Sequence, residues 1–355
     1  MDRVDLRSDV LSRPSPKMIE AMLRAAREPA HFGLREDPRQ QELERRLADM
    51  LGQEDALLFP TCTMANEVGL MLLTRPGDTV AAARDVHIAT SEANGASVLS
   101  GVRLEFVPGD APLPSLAAWE TMALRRGDVQ GPPVTTFAIE NSHNRSGGTL
   151  IDAKSTLALS NLARQHGIKL MIDGARLFNA AVALNTEPRE LACHADAVSI
   201  SLNKSLGAPN GAILAGSRAL IEKALFVRQR LGGGIRPTGM LAAAALVAIE
   251  SWSRLSEDQR RARRLAEGLS PLAGLTIIPP ATNIVVITLN AAQLSPQALC
   301  RRLESHGVLA LPFGADKIRM VIYSDIDDNA VDHTIAAMAR SLTELMSYCP
   351  KGTTH

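Results

Sequence analysis

The chain has 355 residues, 38 acidic against 38 basic side chains and 46 % apolar content, which suits a globular protein of about two domains and excludes extended disorder. Zero net charge supplies no long-range positive field for nonspecific nucleic-acid or anionic-membrane binding. A small molecule held by local contacts is the expected partner.

The first seven residues carry Asp2, Arg3, Asp5 and Arg7 without an apolar run, so no export signal is expected and a cytoplasmic location is the default. Apolar uncharged runs such as Met240 to Ile249 fall well short of the ~20 residues that cross a bilayer. Pro14 and Pro16 precede a helix expected over Lys17 to Arg27, and residues 1–20 read as an arm that packs on a smaller C-terminal domain. Strands are expected at Asp55–Phe59, Thr79–Ala83, Val102–Val107, Val134–Ile139, Lys169–Ile172, Ala197–Ser201 and Ala212–Ala215. They alternate with helices, clearest over Pro38–Met50, Thr63–Thr74 and Lys154–His166. This alternation predicts a large α/β domain, residues 21–252, built on a mostly parallel sheet. Around Ser251 an Arg-rich helix begins and runs to near Pro271. Strands at Leu275–Ile278 and Asn283–Thr288, a helix at Pro296–His306, a strand at Lys317–Ile322 and a closing helix to about Met346 follow. They predict a smaller α+β domain over residues 253–347, with 348–355 as a tail. Cys62, Cys193, Cys300 and Cys349 lie far apart without a CxxC pair, so reduced thiols are expected, with no disulfide framework and no metal site.

Several loops after these strands carry chemistry. Lys204, one of only seven lysines, sits in Ser201-Leu-Asn-Lys-Ser-Leu-Gly207. A lysine there, followed by Gly207 and Gly211, suits an amine that forms a Schiff base; a solvated loop lysine is the plain alternative. One strand earlier, Lys169-Leu-Met-Ile-Asp-Gly-Ala-Arg176 ends on Asp173, a carboxylate that can hold a protonated pyridine nitrogen such as that of pyridoxal phosphate. Arg176 offers a planar cation to a phenolate or a substrate carboxylate. A turn-capping aspartate paired with an arginine would look the same. In Pro60-Thr-Cys-Thr-Met-Ala-Asn66, backbone amides with Thr61 and Thr63 at a helix start form either a phosphate site or a simple N-cap. His87 can stack on a flat ring, and His143, in Glu140-Asn-Ser-His-Asn144, can move a proton near neutral pH; structural histidines are the alternative. Arg236, after Leu231-Gly-Gly-Gly-Ile235, suits a phosphate, even one across a subunit boundary, or else a solvated turn. Arg319, in the strand Lys317-Ile-Arg-Met-Val-Ile322, suits a carboxylate in a cleft or an edge ion pair.

Taken in order, these residues resemble the threonine aldolase (β-eliminating lyase) family of fold-type I pyridoxal-phosphate enzymes, over nearly the whole chain. The matching motifs are Asp5-Leu-Arg-Ser-Asp9 with Arg13-Pro14, Glu140-Asn-Ser-His-Asn144, Ile172-Asp-Gly-Ala-Arg-Leu-Phe-Asn179, Lys204-Ser-Leu-Gly-Ala-Pro209 and Gly232-Gly-Gly-Ile-Arg236. The resemblance implies an aspartate-aminotransferase-like large domain with a smaller C-terminal α+β domain, and pyridoxal 5′-phosphate as cofactor. It implies that Lys204 attaches the cofactor, Asp173 binds its pyridine nitrogen and His87 stacks on its ring. Thr63 and the Cys62 backbone would hold the phosphate, helped by Arg236 of a neighbouring copy. Ser8, Arg176 and Arg319 would take the substrate carboxylate, and His143 would be the base, directly or through water. The implied reaction is retro-aldol cleavage of a β-hydroxy-α-amino acid, such as threonine, allo-threonine or phenylserine, to glycine and an aldehyde. β-Elimination or aldol-type condensation on a related amino acid is the alternative, and a noncatalytic subunit of the same fold a third reading. The implied assembly is a homodimer or tetramer with active sites at the subunit interface, without nucleic-acid or membrane partners. Three positions and one segment depart from the family: Cys62 replaces a usual glycine, Phe32-Gly-Leu-Arg-Glu-Asp-Pro38 replaces a tyrosine-led segment, Pro237 replaces glutamine, and Gln229 stands where lysine is common.

Overall fold

Two units divide the chain, one of Ser12–Ser253 and one of Met1–Leu11 with Arg254–His355. The structure, a computed structural model, describes residues 3–110, 112–125, 129–291 and 294–347. Cys349 and the tail expected over 348–355 lie outside the described residues.

The chain starts on β1 (Val4–Asp5) and enters the larger unit through α1 (Pro16–Ala26). This helix begins where Ser15 accepts the Met18 amide and Pro16 fills the first turn. Asp37 and Pro38 open α2 (Pro38–Leu51) in the same way, and Gly52, at φ +67°, closes it in a conformation that glycine adopts without strain. Next come β2 (Asp55–Phe59), α3 (Cys62–Leu73), β3 (Thr79–Ala82), α4 (His87–Thr90), α5 (Gly95–Ser100) and β4 (Arg103–Phe106). Then follow α6 (Leu116–Leu124), β5 (Val134–Glu140), α7 (Ala153–Gln165), β6 (Lys169–Asp173), α8 (Leu177–Leu184) and α9 (Pro188–Ala192). The larger unit ends with β7 (Ala197–Ser201), β8 (Ala212–Gly216), α10 (Arg218–Arg230) and α11 (Gly239–Glu250).

Strands β2 to β8 make one seven-stranded sheet in the order β2-β8-β7-β6-β5-β3-β4. The run from β7 to β4 is parallel, while β8 is antiparallel to both its neighbours. Helices cover a parallel sheet on both faces, which is why its strands read as short apolar runs rather than as alternating ones. Leu57, Phe59, Val80, Met171 and Leu214 meet Ala65 and Val68 of α3 in one buried cluster. Parallel direction also brings the carboxyl ends of β5, β6 and β7 to one edge, where ligands of open α/β sheets bind. The arm expected over residues 1–20 is shorter than the sequence suggested. Residues from Ser12 onward belong to the larger unit, because the small-residue stripe of α1, Ala21 and Ala25, packs on Ala243 and Val247 of the Ala-rich α11.

The smaller unit takes β1 and continues with α12 (Leu255–Leu269), β9 (Leu275–Ile277), β10 (Ile284–Leu289) and α13 (Pro296–Ser305). It closes with β11 (Val308–Leu309), β12 (Leu311–Pro312), β13 (Lys317–Val321) and α14 (Asp328–Ser347). Its antiparallel sheet has the order β12-β13-β10-β9, and β1 pairs in parallel with β11. Leu6, Leu265, Leu269, Ile287, Leu299, Met320 and Met338 share its core. The basic face of α12 is tied to α14, with Arg260 and Arg264 bridging Asp328 and Asp332. Among the described residues, no helix is long and apolar enough to cross a membrane.

Candidate active site

Sheet register sets Glu140 of β5 beside Asp173 of β6, and Asp173 beside Ser199 of β7. Asp173 is only 5 % exposed. Its Oδ1 accepts the Ala175 amide at 3.1 Å and its Oδ2 accepts Asn66 Nδ2 at 3.0 Å. Asn66, buried on α3, also donates to Glu92 Oε1 at 2.8 Å, while its own Oδ1 accepts the Ser199 hydroxyl at 2.6 Å. That wiring fixes the amide's orientation, because a flipped Asn66 would point its oxygen at two carboxylates.

His87 opens α4 in front of this cluster. Its backbone amide donates to Glu140 Oε2 at 2.7 Å, and its Nδ1 lies 2.6 Å from Glu92 Oε1. One polar atom from each of His87, Glu92 and Asp173 lies within 4.8 Å of the others. Burial disfavours the His87 imidazolium, but the Glu92 bond and the Asp173 charge outweigh it and hold the pKa above the ordinary histidine value. Burial, reinforced by Asp173, pushes the Glu140 carboxyl up to about 7 although the Asn144 and His87 amides both bond to it.

Lys204 is half-buried in the turn between β7 and β8, where Gly207, at φ +80°, donates its amide to the Lys204 carbonyl at 2.8 Å. Cys62 and His87 each sense the charges of both Asp173 and Lys204, which places carboxylate and amine in one neighbourhood. At the head of α3, the Thr61 hydroxyl caps the Met64 amide at 3.1 Å, leaving the Cys62 and Thr63 amides in the first turn. Thr61 is therefore the cap. Cys62 stands in helical backbone, and its Sγ is 3.6 Å from Ser199 Oγ, so a side chain in place of glycine is accommodated. Burial, then the Asp173 charge, pushes its thiol up to about 12.

His143 is fully buried after β5. The Ser146 amide donates to its Nδ1 at 3.2 Å, with Ser146 Oγ at 2.9 Å from the same nitrogen, so the neutral ring carries its proton on Nε2. Burial lowers its pKa below the ordinary value. Arg176 leads into α8, 7 % exposed, with Nη1 3.5 Å from Asn144 Oδ1. Arg236 is exposed and engaged elsewhere in this chain: Nη1 donates to the Phe32 carbonyl at 2.9 Å and the guanidinium lies 5.3 Å from the Phe32 ring centre. Ser8 and Arg319 belong to the smaller unit, where Arg319 Nη2 donates to the Arg7 carbonyl at 3.2 Å and so brings the Ser8 segment beside it.

The structure thus gathers Lys204, Asp173, His87 and Cys62 and adds residues the motifs did not single out: Asn66, Glu92, Glu140 and Ser199. For two of these, Asn66 and Ser199, a signal was present. Asn66 and Glu67 are polar residues inside the apolar run of α3, and Ser199 interrupts the apolar β7. Pyridoxal phosphate asks for a buried carboxylate, a flat neighbour, an amine and amide donors for its phosphate. Asp173 with its Asn66 support, His87, Lys204 and the first turn of α3 meet those requirements.

The β-eliminating lyase family model matches residues 5–292. The chain is 36 % identical over 349 residues to low-specificity L-threonine aldolase 1 of Arabidopsis thaliana, covering 96 % of this chain and 97 % of that protein. It is 33 % identical over 330 residues to the low specificity L-threonine aldolase of Escherichia coli (strain K12), covering 91 % and 94 %. The solved structure of Leishmania major threonine aldolase shares the fold, with a TM-score of 0.81 at 19 % identity and coverage of 95 % and 99 %. Sequence and architecture agree: the chain belongs to the threonine aldolase (β-eliminating lyase) family and is a pyridoxal-phosphate-dependent lyase of fold type I.

Proposed function

We propose that this chain cleaves the Cα–Cβ bond of a β-hydroxy-α-amino acid of the threonine, allo-threonine or phenylserine kind, giving glycine and an aldehyde. The reading rests above all on one observation. Asp173, buried at a strand end and held by Asn66, shares its neighbourhood with the Lys204 amine.

Bound pyridoxal phosphate supplies an electron-withdrawing ring that accepts the electrons of the breaking bond. In this proposal Lys204 attaches the cofactor, and Asp173 keeps its pyridine nitrogen protonated by placing a fixed negative charge beside it. His87 covers one ring face. The Cys62 and Thr63 amides bind the phosphate, and Arg236 serves the phosphate of a second copy's site. Arg176 fixes the substrate carboxylate and thereby selects the bond that is broken, since only a bond held perpendicular to the ring is weakened; Ser8 and Arg319 are the carboxylate ligands that the smaller unit offers in this proposal.

His143 takes the β-hydroxyl proton. Its lowered pKa keeps the ring neutral at physiological pH, as an acceptor must be. The accepting lone pair is on Nδ1 and faces Ser146, so the proton travels through the Ser146 hydroxyl or a water in its place. Product analysis tests the reading. Threonine or phenylserine should give glycine with acetaldehyde or benzaldehyde in equal amounts. Ammonia with a keto acid would mean elimination, and no turnover of any β-hydroxy-α-amino acid would refute the proposal.

A further inference from the structure

Behind His87 lies a carboxyl pair with no role in the reading above. Glu67, on α3, is 3 % exposed and in hydrogen-bonding contact with Glu92, which is 5 % exposed. Among the described residues no N–H group or hydroxyl reaches either Glu67 oxygen or Glu92 Oε2. A β-carbon at Gly95 would collide with the Glu67 carboxyl, so the fold keeps this place clear for it. Two carboxylates cannot touch in a buried site with both charged; a proton must lie between them. Glu92 is the better anion of the two, since its Oε1 already receives Asn66 Nδ2 and faces His87 Nδ1, whereas Glu67 has no other donor.

We propose that Glu67 is a positioning residue: it carries the proton of the pair and, by donating it to Glu92 Oε2, keeps the Glu92 carboxylate ionised and aimed at His87 Nδ1. The imidazole is then held with Nδ1 as the donor to Glu92. Removing the donor leaves Glu92 to take up a proton itself, and a protonated Glu92 no longer dictates which His87 nitrogen carries hydrogen. Loss of the shared proton to solvent at higher pH leaves two adjacent anions, which favour His87 as imidazolium. The other groups facing this cluster are Asp173 from β6, Glu140 from β5, Cys62 from α3 and Lys204 after β7. Burial and the Glu92 charge place the Glu67 titration at about 7, near neutrality.

The effect on catalysis rests on the proposed function; the proton itself does not, and the test separates them. Infrared spectra of the protein as purified, wild type minus Glu67→Gln, should show a carboxylic-acid carbonyl band on the acid side of neutrality that fades with a midpoint near 7. No such band in the difference spectrum overturns the proposal whatever the enzyme catalyses. In turnover, Glu67→Gln keeps a donor and should retain kcat within about twofold while flattening the pH profile around neutrality; Glu67→Leu should lower kcat about tenfold with KM little changed. Equal kcat in the two variants, or a wild-type pH profile in Glu67→Gln, assigns Glu67 a packing role only and refutes the positioning role.

Discussion

Replacing Asn66 by alanine removes three contacts at once. Asp173 and Glu92 each lose a donor, at 3.0 and 2.8 Å, and the Ser199 hydroxyl loses its acceptor at 2.6 Å. Hydrogen bonds to charged groups are worth roughly 1.5–3 kcal/mol and neutral ones about 1 kcal/mol, while buried groups left unpaired cost about as much again. Water entering the vacated space recovers part of this, so the net loss should be about 3–5 kcal/mol. Urea unfolding of the apoprotein at neutral pH measures it, with Ser199→Ala as comparator because that change removes only neutral bonds, to Asn66 and from the Cys62 thiol, and should cost about 1–2 kcal/mol. Cofactor affinity should fall at least about tenfold in Asn66→Ala, since Asp173 loses the partner that aims its second oxygen. A stability loss under about 1 kcal/mol, together with unchanged cofactor affinity, would refute the role of Asn66 as the hub of this network.

Two further outcomes follow from the smaller unit. Asp258, beside Arg254 at 3.6 Å, has its carboxyl pushed by burial from 3.8 up to about 7. A folded value above the unfolded one means that its contribution to stability is fully present below pH 4 or so and is lost as pH rises through 7. Asp258→Asn should therefore flatten the plot of Tm against pH across that window and be the more stable protein above it; parallel plots would contradict the burial argument. Arg319→Leu should raise KM for the amino acid about ten- to a hundredfold, the worth of one charge-assisted contact, while cofactor absorbance persists. An unchanged KM would remove Arg319 from carboxylate binding.

The fold was legible where local chemistry and periodicity agreed. β2 and β7 fall at Asp55–Phe59 and Ala197–Ser201 as expected, because fully buried strands announce themselves as apolar runs between turn residues. The helices expected over Lys17–Arg27 and Pro38–Met50 begin at Pro16 and Pro38, because proline fits the first helical turn, while the Ser15 and Asp37 caps became visible only in the structure. Two-residue strands such as β1, β11 and β12 have no periodicity to read, and the antiparallel direction of β8 is a property of pairing rather than of sequence. In the site, Lys204, Asp173 and His87 stood out because they follow strands. Asn66 and Glu67 showed only as polar residues in an apolar run and Glu92 not at all, since their meaning arises only when α3 packs on the sheet and brings their polar atoms to Asp173 and His87. The tautomer of His143 depends likewise on the turn that returns the Ser146 amide to its ring.

Covalent attachment of the cofactor at Lys204 tests the central claim most directly. Borohydride reduction of the protein loaded with pyridoxal phosphate, followed by peptide mapping, should find the added mass on the Lys204 peptide and nowhere else, and Lys204→Ala should lose both the added mass and the visible absorbance. Stable attachment at any other of the seven lysines, or undiminished labelling of Lys204→Ala, would contradict the account.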